Sequence, residues 1–242
     1  MSKDELTLLS DGVKTLLDKS GLAAKGVSFI EYTRDSAKQV ADLLRINAPK
    51  ILPYRLKELL IRGPLNMLEV GKNAFFAPKG NKIVIPTGGK FSLAYFHEIG
   101  HAMNANFSTV GKILQKMRPL TMLVLPIALL SLLKTKKAEG EQPQGIWDKT
   151  TTFIKNHAGK LTFAAFLPVL VEEGLASIKG QKLAKSILSP ELLAKVSKNN
   201  KLAYLTYLGL ALASALGVAL AVKIKDKIAH RKPIEDKATV KA

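Results

Sequence analysis

At 242 residues the chain can bury a substantial core in one or two domains. Lys and Arg outnumber Asp and Glu by 37 to 19, a net charge of +18 that suits nucleic acid or an anionic membrane surface. The absence of cysteine excludes disulfides and thiolate metal sites, so any metal must rely on His and carboxylate.

The lysines stand between apolar runs, as in Lys134-Thr135-Lys136-Lys137 and Lys223-Ile224-Lys225. Nucleic-acid modules interleave basic residues with aromatics or glycines instead, so no nucleic acid is expected and anionic lipid headgroups are. Met1-Ser2-Lys3-Asp4-Glu5 lacks a charged segment followed by an apolar one, so no cleaved signal peptide is expected.

Residues 3–19 carry Leu6, Leu9, Val13, Leu16 and Leu17 at helical spacing, ended by Ser20-Gly21. Val27–Tyr32 reads as a short strand. A second helix follows Thr33, with Ala37, Val40, Ala41 and Leu44 on one side, and stops before Pro49. Residues 54–62 form a third, with Leu56, Leu59 and Leu60 buried, broken at Gly63-Pro64.

The period then changes. Asn73-Ala74-Phe75-Phe76-Ala77 and Lys82-Ile83-Val84-Ile85 are β-type runs around a Pro78-Lys79-Gly80-Asn81 turn, and Pro86-Thr87-Gly88-Gly89 ends the second. A free edge on the second strand can pair with an extended peptide, which makes Asn73, Ala74, Phe75, Ile83 and Val84 the candidate substrate-binding residues.

Phe96-His97-Glu98-Ile99-Gly100-His101-Ala102 follows, with no breaker in the residues just before it. On a helix His97 and His101 share one face, one turn apart. Two imidazoles so placed bind one zinc, and Glu98 lies beside the metal where it can take a proton from its water. Gly100 weakens a helix interior by about 1 kcal/mol relative to Ala, which is explained if something packs close to the backbone there.

Beyond this helix, residues 119–133 are uncharged between Arg118 and Lys134, but fifteen residues of helix span only about 22 Å of a hydrocarbon core about 30 Å thick. A polar loop covers 134–150. Residues 151–178 are mixed, with Leu161–Val171 free of charge. Leu202–Val222 is charge-free between Lys201 and Lys223, with Tyr204 and Tyr207 near one interface, and is the clearest transmembrane candidate. A basic tail follows.

Catalytic zinc takes three protein ligands and a water. His157 and His230 lie in a polar stretch and a basic tail. Glu172 and Glu173 are stronger candidates, because two carboxylates ending an apolar helix are costly to bury unless a cation meets them.

Asn73-Ala74-Phe75-Phe76-Ala77, Gly80, Ile83-Val84-Ile85, Gly88 and His97-Glu98-Ile99-Gly100-His101 together resemble the membrane zinc endopeptidases of the CAAX prenyl protease and heat-shock membrane protease type. That family runs Asn-Ala-Phe-Ala, a Gly turn, an edge strand and His-Glu-Leu-Gly-His, then membrane helices and a helix with Glu-x-x-Ala-Asp. Glu173-Gly174-Leu175-Ala176-Ser177 matches the last pattern, with Ser177 where the family has the Asp that supports a ligand histidine. The resemblance covers roughly residues 70–178 and selects Glu173 over Glu172 as third ligand.

What it implies is a mainly α fold with a small β-hairpin or sheet, a gluzincin-like zinc peptidase core and transmembrane helices. The expected division is an N-terminal helical region over 1–70 and a peptidase core over 71–178, interrupted by apolar helices near 119–133 and 155–171. An amphipathic helical connection over 179–200, a transmembrane helix over 201–223 and a basic tail over 224–242 complete it. One Zn²⁺ per chain is held by His97, His101 and Glu173, with Glu98 as general base, acting on a protein or peptide substrate. Tyr95 and His157 have no assignable role in stabilising an oxyanion.

The enzyme is expected in the membrane, multi-pass or anchored, with its catalytic side cytoplasmic, although both basic stretches then lie opposite that side. The alternatives are a non-catalytic basic membrane protein with a structural or degenerate zinc site, and a soluble enzyme whose apolar runs are core helices.

Overall fold

The computed structural model describes residues 15–50, 52–70, 73–86, 93–134 and 142–229. The first part of the expected N-terminal helix, the Thr87–Gly89 turn, His230 and the end of the basic tail lie outside these. The chain divides into two units, one of residues 1–119 with 168–208, the other of residues 120–167 with 209–242.

The first unit is built on a three-stranded sheet. Strand β1 (Ser28–Tyr32) runs parallel to β3 (Lys82–Pro86), which pairs antiparallel with β2 (Phe75–Ala77). Period-two alternation gives the sheet two apolar faces. Phe29, Ile83 and Phe76, cross-strand neighbours, pack on one core with Leu16, Leu17, Leu22, Tyr95, Phe96 and Ile99. Ile30, Val84 and Phe75 pack on the other with Val40, Leu43 and Leu68. The hairpin expected from sequence is present, but β3 is the central strand. Its edges are both paired, and Ile83 and Val84 are fully buried, so neither can take a peptide along an open edge. Among the described residues, the edge that remains open on this side belongs to β2.

Helix α1 (Ala37–Asn47) ends at Ala48, whose ψ of 149° is the extended conformation required before Pro49. Helix α2 (Tyr54–Glu69) corrects the expected break at Gly63-Pro64 by running through it. An interior Pro costs about 3 kcal/mol, and burial of Leu68 and packing of Leu65 against the second core offset it. Leu56, Leu59 and Leu60, expected inside, are exposed, while Ile61 is the residue buried in that stretch.

Helix α3 (Ala94–Phe107) carries the His-Glu-x-x-His stretch, buried from Ala94 through Ala102. Helix α4 (Thr109–Met117), capped by Ser108 whose hydroxyl accepts from the Gly111 amide at 3.0 Å, turns back along it. Helix α7 (Ala158–Ala184) packs against α3 backbone to backbone. A Cβ at Gly100 would lie 2.0 Å from the Ala176 carbonyl oxygen, and one at Gly180 would lie 2.1 Å from that of Phe96. The tolerance that Gly100 suggested in the sequence is this contact, and Ala176 is fully buried in it.

The second unit contains α5 (Val124–Leu133), α6 (Gly145–Asn156), the first turns of α7 and the last of α8 (Pro190–Ala229). Among the described residues, three helical stretches are long and apolar enough to cross a membrane: Thr109–Leu133, Ala158–Ala184 and Pro190–Ala229. The first has 25 residues, because α4 precedes the apolar run that looked too short and a 3₁₀ segment (Arg118–Leu123) joins them without a break. Only 6% of its apolar window is buried within the protein. The protein is therefore mainly helical around a small sheet, with helices that fit a membrane protein.

The α3–α7 contact generates a prediction. Gly180→Ala should lower stability by about 1–3 kcal/mol through overpacking, despite the gain in helix propensity. Gly217→Ala, whose Cβ meets nothing within 4 Å, should be neutral or stabilising. Thermal unfolding in detergent measures both, and equal melting temperatures would deny the close contact.

Candidate metal centre

His97 and His101 stand one turn apart on the buried face of α3, their rings edge to face with centroids 4.6 Å apart. Helix α7 brings Glu172 and Glu173 against them, at 0% and 1% exposure. His97 Nε2 lies 3.0 Å from Glu173 Oε2 and 3.0 Å from His101 Nε2, and His101 Nε2 lies 3.4 Å from the same Glu173 oxygen.

The outer nitrogens decide what these inner atoms are. His101 Nδ1 is 2.8 Å from Glu172 Oε1, an acceptor only, so Nδ1 carries the proton and Nε2 presents its lone pair inward. His97 Nδ1 is 3.2 Å from the Ser177 hydroxyl, which can accept from it and set the same tautomer. Three lone-pair atoms then converge within 3.4 Å. Atoms this close repel unless a cation, proton or metal, sits among them. Two imidazoles and a carboxylate are donors of the kind that hold a metal ion, and His101 with Glu172 and Glu173 forms one buried group that could hold one.

Glu98, 7% exposed, completes a second group with the two histidines, its carboxylate within 4.8 Å of their nitrogens. Burial pushes its pKa up, while the two histidines and the Phe76 backbone amide, which donates to it, act the other way. Burial alone would lower the pKa of His101, but the Glu173 charge and bonds to Glu172 and Glu173 outweigh it and raise it to about 10.

The two carboxylates stand differently towards the histidines. Glu173 is the one that faces both histidines. Glu172 does not point aside to solvent or a lysine but is fully buried beneath His101. It also accepts from Gln115 Nε2 at 2.9 Å and from Asn104 Nδ2 at 3.1 Å. Ser177, standing where the resemblance calls for Asp, keeps a hydroxyl on His97.

Sequence reasoning missed Arg118. Its guanidinium bridges the pair, Nη1 to Glu172 Oε2 and Nη2 to Glu173 Oε1, each at 2.8 Å. In the sequence it only bounds an apolar run. Gln115, three residues earlier and so on the same face of α4, was the one available hint, and it also donates to the His101 carbonyl at 2.9 Å. Tyr207 of α8, read as an interfacial aromatic, places its hydroxyl in hydrogen-bond contact with Glu173. Tyr95 is buried in the core beside Phe29. His157 belongs to the second unit, where its Nδ1 lies 3.0 Å from the Phe153 carbonyl, and is not among the centre's donors. Of the substrate-binding candidates, Phe75 lies on the edge strand β2 and Asn73 and Ala74 lead into it, whereas Ile83 and Val84 are in the sheet interior.

No family model, curated protein or solved structure matches this chain.

The two carboxylates should separate on metal titration. Glu173→Gln, which replaces an anionic donor by an amide, should abolish stoichiometric binding in a chelator competition. Glu172→Gln leaves the donor in place but weakens the hold on His101 and Arg118, and should cost roughly tenfold in affinity. The reverse order would assign the ligand to Glu172.

Proposed function

We propose that the protein is a membrane-associated zinc metalloendopeptidase, with one Zn²⁺ held by His97, His101 and Glu173 and with Glu98 as general base. The observation that carries the reading is the spacing of the three donors, 3.0, 3.0 and 3.4 Å. Tetrahedral zinc with bonds of about 2.0–2.1 Å has ligand–ligand edges of about 3.3 Å. A zinc ion so bound would supply an acidified water and a Lewis acid for the scissile carbonyl.

The chain's own groups support the rest. Glu98 is not a donor in the set of three, and burial, which raises its pKa, favours its taking up a proton, as a general base must. The Phe76 amide holds it in place. Phe76 belongs to β2, so an extended peptide laid along that open edge, past Asn73, Ala74 and Phe75, would pass beside Glu98. Membrane attachment is supported by the three apolar helices, and the resemblance in the Asn-Ala-Phe hairpin and His-Glu-Ile-Gly-His helix agrees with the reaction.

Glu98→Gln tests the assignment. It should keep one zinc per chain and lose peptide cleavage by at least about a hundredfold, because proton transfer is removed without touching a ligand. If the zinc-loaded wild-type protein cleaves no peptide, or the variant cleaves as fast, the site is structural and the enzyme reading fails.

A further inference from the structure

At one end of the second unit the polar groups gather. Lys225 Nζ donates to the Lys134 carbonyl at 2.8 Å, joining the end of α5 to α8. Lys155, only 6% exposed, pairs with Asp226 and joins the end of α6 to α8. Lys134 also pairs with Asp148 near the start of α6. The charged residues that flank three apolar stretches in the sequence therefore meet at a single level, where the apolar surface of the helices stops.

A cavity of about 590 Å³ opens at this level, lined by Lys155, Asn156, Gly159, Lys223, Asp226 and Lys227 among others. Asp226 is matched by Lys155 at its floor. Lys223 and Lys227, one turn apart on α8, are exposed and leave the cavity with an excess of positive charge. Beside it, α6 turns large apolar side chains outward: Ile146, Trp147 and Phe153 are 86%, 71% and 55% exposed. A short helix with exposed Trp, Ile and Phe and with lysines at its polar positions suits the headgroup boundary of a bilayer, where an indole has one apolar and one wet side.

We infer that this cavity is a binding site for the phosphate of an anionic phospholipid, held by Lys223 and Lys227 above the Lys155–Asp226 pair. A basic pocket between membrane helices at headgroup depth has the charge and the position for such a lipid, and the outward face of α6 places its acyl chains in the bilayer beside it. The inference rests on the reading that these helices span a membrane, and it adds a specific lipid site to a general attraction.

Trp147 is the chain's only tryptophan and lies about 12 Å along α6 from Lys155, so it reports on this end alone. The full-length protein is reconstituted into phosphatidylcholine vesicles containing brominated phosphatidylcholine or brominated phosphatidylglycerol, and quenching of Trp147 is compared. The wild type should favour phosphatidylglycerol by at least about fivefold. Lys223→Gln/Lys227→Gln should bring the ratio close to one while leaving quenching by phosphatidylcholine intact, which shows that the variant still inserts. Lys19→Gln/Lys38→Gln, exposed lysines of the first unit, should not change it. Equal quenching by the two lipids in the wild type, a preference that survives in the Lys223/Lys227 variant, or one lost equally in the control variant would each overturn the site and leave membrane insertion standing. Quenching by neither lipid would overturn insertion itself.

Discussion

The backbone contact between α3 and α7 is the constraint from which the candidate metal centre follows. Helices whose side chains interdigitate sit 8–10 Å apart. Gly100 facing Ala176 and Gly180 facing Phe96 let these two come closer, with carbonyl oxygens where side chains would otherwise lie. Short reach then suffices. Imidazoles from one helix and a carboxylate from the other meet in the narrow space between them, and no long flexible side chain is needed to close the site. Sheet and helices hold α3 from behind, since Phe96 and Ile99 belong to the core shared with Ile83.

Bringing α7 this close buries Glu172 and Glu173 side by side, which water would oppose strongly if they stood alone. The partners divide the work by oxygen. Glu173 turns Oε2 to the histidines and Oε1 to Arg118, while Glu172 turns one oxygen to His101 Nδ1 and the other to Arg118. Both Glu172 oxygens and Glu173 Oε1 have a cationic or N–H partner, and Glu173 Oε2 is the one left facing the histidine lone pairs. The outer carboxylate thereby fixes the tautomer of an inner histidine, and the inner carboxylate is aimed by an arginine it shares with the outer one.

Local spacing made part of this legible in advance. His97, Glu98 and His101 owe their relation to one helix, and the alternation of residues 75–77 and 82–86 owes its two faces to strand geometry, so both could be read from sequence. Selecting Glu173 needed a resemblance as well, because adjacent carboxylates are equivalent until something faces one of them. What could not be read depends on contacts distant in sequence. Strand β3 became central because β1, fifty residues earlier, pairs with it. Helix α2 runs through Pro64 because Leu65 and Leu68 find a core beyond it. Glu172 and Arg118 find their roles only once α4 has folded back over α3.

Arg118 also shows why the charged residue at that border is an arginine. It precedes Pro119 in the helical stretch Thr109–Leu133, at the start of an uncharged run. A lysine there would offer one point charge, able to approach one carboxylate or the space between two. The planar guanidinium presents separate N–H groups in a fixed fork, and Nη1 and Nη2 each reach a different glutamate at 2.8 Å. Its side chain is 36% exposed while both partners are sealed, so it forms the boundary between the carboxylates and their surroundings. The residue that precedes the first apolar run in the sequence is in this way part of the candidate metal centre, which draws its charges from the histidine helix, this arginine and the carboxylate helix.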